Sequence, residues 1–442
     1  MVEERYKELA ELSDEIARCG RCGFCQEICP VYHVSSDESG VARGRNMFAA
    51  ELVSGRLDLS RANEAFFSQC LLCRACVEMC FSGVKTDEVV LAGRRCQRRM
   101  SGTAPVHRYI FERLLPDHHR LGRVIRMLGT TRRIAPARLG SALGMFGWLG
   151  KGFARAERFS REIPREFLRA RLARRKVTDK ASKRAAFFIG CGINFMFPHV
   201  GEATATILAA LGYEVSVVDH GCCGLPAFSH GELQAARRLA SLNMAAFARD
   251  PDRLIVTDCS SCASFLKDYP RLFSTGEAAD PEKLRETERF AARVKDMTEI
   301  LAENPRIFEA EEGTGHAVRG KVTFHEPCHL GRYQGLGAAA CETLGSLSGV
   351  DFVEMKEASW CCGGAGAFAV EHPRLSLEIL DRKTRNVKSS GADTVATTCP
   401  SCLMQIKSGV ENAGIEVRVA HLVEIAREHL PAAGKNSEGR RA

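Results

Sequence analysis

The sequence predicts an α+β multidomain fold: a helical N-terminal domain, a helical Arg-rich connector and two repeated α/β domains. Three observations predict it. The 20 cysteines of the 442-residue chain fall into two different spacing patterns, one near the N-terminus and one in the second half. The second pattern occurs twice at a nearly constant offset. Between the two halves the composition turns strongly basic.

With 45% hydrophobic and 26% charged residues the composition is that of a globular protein, which excludes disordered and fibrous classes. The length suggests several domains. No run of about 18 apolar residues is present, and the first residues are charged where a signal peptide needs an apolar stretch. These features predict a cytoplasmic protein, at most peripheral on the cytoplasmic face of a membrane. Neither a large core nor a cytosolic setting calls for thiols at this density, so the cysteines carry the functional information.

The first element is the segment 1–96, which reads as short helices around two cysteine runs. Cys19, Cys22, Cys25 and Cys29, followed by Pro30, give C-x2-C-x2-C-x3-C-P; Cys70, Cys73, Cys76 and Cys80 repeat the spacing with Phe81 in place of the proline. Thiolates are soft ligands that select zinc, copper(I) or iron-sulfur clusters, so spacing must arbitrate. Three cysteines at i, i+3 and i+6 wrap one face of a cubane, and the fourth ligand comes from elsewhere. In two-cluster ferredoxins the last Cys of each run serves the other cluster. Cys19, Cys22, Cys25 and Cys80 are therefore assigned to one [4Fe-4S] cluster, and Cys29, Cys70, Cys73 and Cys76 to a second. Structural zinc is the weaker reading because it usually takes two separated pairs. Arg43 and Arg45, between the runs, read as a solvated turn or as cations that raise the potential of an anionic cluster.

The second element, 97–183, is the connector. Between 94 and 184 there are 25 Lys or Arg against 6 Asp or Glu, a net of +19 in a chain of +8, so the remainder carries −11. It reads as helices broken by Gly and Pro. Its apolar patch 139–150, flanked by Arg132, Arg133, Lys151 and Arg155, has 12 residues and is too short to span a bilayer. Docking against an acidic partner or an anionic membrane surface is the expected use of this segment. It has no aromatic ladder or recognised motif for nucleic acid, and none is expected as a partner.

The third and fourth elements, 184–318 and 319–432, are the repeats, followed by a polar tail, 433–442. Cys191, Cys222, Cys223, Cys259 and Cys262 recur as Cys328, Cys361, Cys362, Cys399 and Cys402, at offsets of 137, 139 and 140. Each group follows a β-like run: 185–189, 215–218 and 254–257 in the first copy, 322–324, 352–355 and 394–397 in the second. Helical stretches at 203–211, 233–248 and 375–388 alternate with them, which implies two α/β units with mostly parallel sheets. Ligands of such units sit beyond the carboxyl ends of the strands, where all ten cysteines fall. One cofactor site per repeat is implied.

The doubled N-terminal motif followed by two Cys, Cys-Cys-Gly, Cys-x2-Cys (CCG) repeats resembles the iron-sulfur subunits of glycolate or lactate oxidase complexes. More distantly it is similar to the iron-sulfur subunit of anaerobic glycerol-3-phosphate dehydrogenase and to heterodisulfide reductase subunits. Supporting stretches are Ala42-Arg-Gly-Arg45, Ser82-Gly-Val84, Glu326-Pro-Cys-His329 and Cys361-Cys-Gly-Gly-Ala-Gly366. The resemblance covers nearly the whole chain. It implies an N-terminal ferredoxin-type domain and one or two further iron-sulfur clusters in the CCG repeats, non-cubane as in the best understood relatives, or cubane, or zinc in one of them. It also implies a flavoprotein dehydrogenase partner and transfer to quinone or another membrane-bound acceptor. The alternative it implies is a catalytic subunit that reduces a disulfide at a CCG-bound cluster.

Remaining residues read plainly. His325 and His329 flank Cys328; either can donate an N–H to a cluster sulfur or ligate metal, and a satisfied structural histidine is the simpler reading, with His329 kept as a candidate beside a cofactor. Cys96 and Cys341 read as small buried hydrophobes. The glycines near 335 follow a strand that ends about ten residues earlier, so they mark no nucleotide site. No flavin fingerprint or catalytic acid–base constellation stands out, so no flavin is expected in this chain and a catalytic residue is unassigned. The chain is expected to be inert toward the hydroxy acid by itself.

Overall fold

The computed structural model describes residues 2–131, 163–174, 183–274, 280–308 and 319–431. The patch 139–150, its four basic flanks and the tail 433–442 lie outside the described residues.

Two helices frame the N-terminal domain, Ala42–Val53 and Thr86–Ser101. The second buries Thr86, Val89, Val90, Gly93 and Cys96, positions that share one face of a helix. Asp87 and Glu88 sit in its first turn and Arg98 and Arg99 in its last, matching the helix dipole. Gly93 faces the Phe67 ring so closely that a Cβ there would stand 2.6 Å from it. Tyr6, Leu9, Phe48, Leu52 and Phe67 complete this core. The helix Thr86–Ser101 runs unbroken through position 96.

The described connector is helical: Pro105–Tyr109, a π-helical turn at Ile110–Leu114, His118–Thr131 and Leu168–Ala173. It lies against the first repeat, where the Leu115 carbonyl accepts from the Cys222 N–H at 2.8 Å.

Each repeat forms a four-stranded parallel sheet. The first contains β1 (Lys183–Phe187), β2 (Tyr213–Val217), β3 (Leu254–Thr257) and β4 (Val294–Asp296) in the order β2-β1-β3-β4. The second contains β5 (Gly320–Phe324), β6 (Val350–Phe352), β7 (Thr394–Thr397) and β8 (Arg418–His421) in the order β6-β5-β7-β8. The registers correspond: Ala186 pairs with Ile255, and Thr323 with Val395. Helices Pro198–Ala210 and Leu233–Phe247 flank the first sheet, and Pro373–Ser390 occupies the second at the place of Leu233–Phe247.

Two details differ from the sequence reading. The β-like run at 352–355 is displaced to Val350–Phe352: the Val353 N–H still bonds the Val322 carbonyl at 2.9 Å, and the chain then leaves the sheet edge with Met355 buried. The fourth strand of each sheet, β4 and β8, carries no apolar run; it is three or four residues long and includes Lys295 or Arg418.

Candidate metal centres

The loops that hold the N-terminal cysteines adopt the same unusual backbone. Arg21 and Leu72, two residues after the first Cys of each run, have φ of 55° and 54°. Gly23 and Arg74, one residue after the second Cys, have φ of 87° and 60°. Left-handed conformation is costly for Arg and Leu, and its recurrence at matched positions marks loops shaped around something.

In the second run, Cys29, Cys70, Cys73 and Cys76 line one small cavity together with Arg45 and Asp87. The last Cys of the first run thus stands with the first three of the second. Arg45 is 2% exposed. Its Nε donates to the Phe66 carbonyl at 2.7 Å, and one of its Nη atoms is buried without a partner. Burial opposes its charge while Cys70, Cys29 and Cys76 favour it, and the net direction is upward. The solvated-turn reading therefore does not hold for Arg45: it is a buried cation facing thiols. Arg43 pairs with Glu38 at 2.5 Å, and its backbone N–H bonds Cys25. Around the first run, Phe24 and Phe81 meet edge to face at 5.2 Å, which joins the Cys22–Cys25 loop to the residue after Cys80. Burial raises the Cys25 thiol, and burial with Cys361 nearby pushes Cys73 to about 12.

In the repeats, the cysteines sit at the carboxyl edge of each sheet. Cys259 and Cys399 are the N-cap residues of helices Ser260–Lys267 and Pro400–Asn412, and Cys191 opens a short helix after β1. Gly363, with φ of 78°, allows the turn after Cys361-Cys362; a Cβ there would stand 2.7 Å from the Ser376 carbonyl oxygen.

All ten of these cysteines line a single cavity of about 300 Å³. Within the first repeat Cys191 contacts Cys222, Cys222 contacts Cys223, and Cys262 contacts both Cys223 and Cys259. Within the second, Cys328 contacts Cys361, Cys361 contacts Cys362, and Cys362 and Cys402 stand 3.3 Å apart. Cys259 and Cys399 touch across the boundary between the repeats. Ser260 reinforces that junction, its hydroxyl donating to Thr398 Oγ1 at 2.6 Å. On the other side, Cys73 of the N-terminal domain lies close enough to Cys361 and Cys328 to disfavour their joint ionisation. The sets that the sequence separates are contiguous from Cys29 to Cys191.

This donor set fits soft metal chemistry: clustered, buried thiols whose ionisation burial opposes, with few other groups to accept from them. Contact with Cys328 holds Cys361 low while Cys328 itself rises, the pattern of thiols sharing a proton. A resident metal would replace those protons.

Two residues outside the cysteine pattern also reach the second site. Lys383 is fully buried, pulled down to about 8 by burial, and donates to the carbonyls of Glu357 and Ala358. His325 is 1% exposed, and both its ring nitrogens lack a partner. The satisfied-histidine reading is thereby corrected: the strand places His325 beside thiols, which offer it no conventional hydrogen bond. His329 stacks on Tyr333 at 4.5 Å, with Nδ1 3.3 Å from Ser261 Oγ and 3.6 Å from Cys328 Sγ. A buried Lys in a helix gave no motif, but its register against the first repeat, where Asn243 stands, was available. Cys96 and Cys341 lie apart from these sets; Cys96 donates to Glu8 at 3.4 Å.

Comparison with known proteins agrees with this arrangement. A 4Fe-4S dicluster domain matches residues 15–84, and a cysteine-rich domain matches 185–267 and again 322–407. A lactate utilization protein A from Geobacillus thermodenitrificans is 32% identical over 243 residues, 55% of this chain and 98% of that protein. A probable glycolate oxidase iron-sulfur subunit from Bacillus subtilis is 29% identical over 437 residues, 97% of this chain and 96% of that protein. The chain belongs to the glycolate oxidase and lactate utilization family of iron-sulfur subunits. A further relative, one of the subunits of the fumarate reductase (CoM/CoB) from Methanothermobacter marburgensis, is 27% identical over 418 residues, 92% of this chain and 71% of that protein. The second half of the chain is thus a tandem of cysteine-rich domains that follows a 4Fe-4S dicluster domain. Among the described residues, no helix is long and apolar enough to cross a membrane.

Proposed function

We propose that this chain is the electron-transfer subunit of a complex in which a flavoprotein partner oxidises glycolate or lactate. The chain conducts the electrons toward quinone or another membrane-bound acceptor. Two [4Fe-4S] clusters on the N-terminal domain, with crossed ligands as assigned from the spacing, and one further centre in each CCG repeat would serve. The two further centres are iron-sulfur, or zinc in one. When bound, such clusters take up and release single electrons, the step needed to split the pair held by a reduced flavin.

The observation that supports this reading most is continuity. Cys25 stands near Cys29, Cys73 adjoins Cys361 and Cys328, and Cys399 adjoins Cys259, so each set of thiols lies beside the next. The chain's own residues hold the thiols in fixed loops, bury Cys29 and most of the thiols of the repeats, and place Arg45 and Lys383 as buried positive charges beside them. Metal analysis of anaerobically prepared protein tests the proposal. At least about eight irons are expected from two cubanes, and a preparation with zinc and no iron contradicts it.

The cavity bounded by both CCG sites favours a second reading, a protein that reduces a disulfide there. The relative named as part of a CoM/CoB fumarate reductase suits this reading as well. A change in the electron paramagnetic resonance of the repeats on adding disulfides would favour it over pure conduction.

A further inference from the structure

The two repeats differ at one position that faces the metal thiols. Cys191 and Cys328 are equivalent, so Phe188 and His325 are equivalent too, each the residue after the central strand has passed its last paired position. Their backbones confirm it: the Phe188 N–H bonds the Val256 carbonyl at 2.8 Å, and the His325 N–H bonds the Ala396 carbonyl at 2.9 Å. In the first repeat the Phe188 ring stacks on His220 at 3.9 Å. His220 is satisfied there, its Nε2 accepting from the Ile189 N–H at 3.1 Å.

In the second repeat the imidazole stands at the site itself. A ring nitrogen of His325 and the sulfurs of Cys362 and Cys402 all lie within 4.8 Å of one another. Both ring nitrogens are buried and make no hydrogen bond of good geometry; the Ala358 carbonyl lies near, but it already accepts from Lys383 and from the Glu326 N–H. An orphaned imidazole in a protein interior is costly, and its persistence calls for a bound group. Lys383, which carries only donors, leaves it no acceptor from the adjacent helix, and the matching residue of the first repeat is the neutral Asn243.

We propose that the His325 imidazole is a nitrogen ligand to the metal centre of the second repeat, bound to the same ion as Cys362 and Cys402. The two repeats then hold chemically different centres: all-thiolate in the first, mixed nitrogen and thiolate in the second. Both repeats keep five cysteines, so the imidazole is a neutral donor added to the second set and takes the place of Phe188, not of a thiolate. Lys383, whose counterpart is the neutral Asn243, places a buried positive charge beside the second centre alone. This inference rests on the reading that each repeat holds a metal centre.

The whole chain grown with 15N-histidine tests it. Metal analysis first shows what the repeats hold. Iron beyond the two cubanes is followed by pulsed electron paramagnetic resonance of the extra signals; zinc is followed by X-ray absorption at its own edge. A directly bound imidazole nitrogen should appear in the wild type, persist in His329→Asn, and vanish in His325→Phe, which installs the residue of the first repeat. A loaded second repeat with no bound nitrogen in the wild type overturns the inference alone, as does a nitrogen signal that survives His325→Phe. Eight irons and no further metal removes the repeat centres and the inference with them. If His325→Phe does not fold, the wild-type signal and its persistence in His329→Asn decide.

Discussion

The Tyr333 hydroxyl donates to the Leu72 carbonyl at 2.7 Å, tying the second CCG repeat to the loop between Cys70 and Cys73. Leu72 is one of the residues held at positive φ, so the bond fixes a strained turn from another domain. Arg74 lies over the Tyr333 ring at 4.0 Å, and Arg332 pairs with Glu78 at 2.9 Å. These contacts set the orientation of the second cysteine run against Cys328 and Cys361.

Tyr333→Phe keeps the ring under Arg74 and removes only the hydroxyl. A hydrogen bond of this kind contributes about 1 kcal/mol, so the unfolding free energy of the loaded protein should fall by that amount and its denaturant midpoint should drop accordingly. An unchanged midpoint would mean that the domains are held together without it.

Arg45 is a buried cation beside Cys29, Cys70 and Cys76. Arg45→Met should lower the midpoint potential of the cluster on those cysteines in a potentiometric titration, because a fixed positive charge favours the reduced, more negative state. Arg45→Lys should retain most of the potential. Equal potentials in wild type and Arg45→Met would remove Arg45 as a tuning residue.

Cys29 shares its cavity with Cys70, Cys73 and Cys76. Cys29→Ser should therefore perturb the resonance of the cluster on the second run and spare that on Cys19, Cys22 and Cys25. Loss of the first-run signal alone would refute the crossed assignment.

Burial pushes Cys73 to about 12 in the metal-free chain. Ligation needs the thiolate, so binding must expel protons, and falling pH works against it. Adding zinc to metal-free chain in weak buffer should release protons, with apparent affinity rising from pH 6 toward pH 8. Affinity independent of pH would mean that the thiols are already ionised.

Much of this architecture was legible because cysteine spacing is a local signal. The two runs, the repeats and their central strands follow from intervals of a few residues and from apolar runs such as 254–257. Strands β4 and β8 were not legible: each is short, polar at one end, and stabilised by its neighbour in the sheet. Nor was the joining of the sites, since Tyr333 and Leu72 are 261 positions apart, and Ser260 and Thr398 are 138 apart. His325 was visible as a residue, but its lack of partners is a property of the packed interior.

Conduction of electrons supplied by a partner is measured by anaerobic mixing of glycolate or lactate with the loaded chain, with and without its flavoprotein, while cluster reduction is followed by absorbance and electron paramagnetic resonance. The clusters should stay oxidised with the hydroxy acid alone and become reduced when the flavoprotein is present, with Cys73→Ser blocking onward transfer to quinone but not reduction of the flavin. Rapid cluster reduction by the hydroxy acid in the purified, flavin-free chain would contradict conduction from a partner and make this chain a dehydrogenase in its own right.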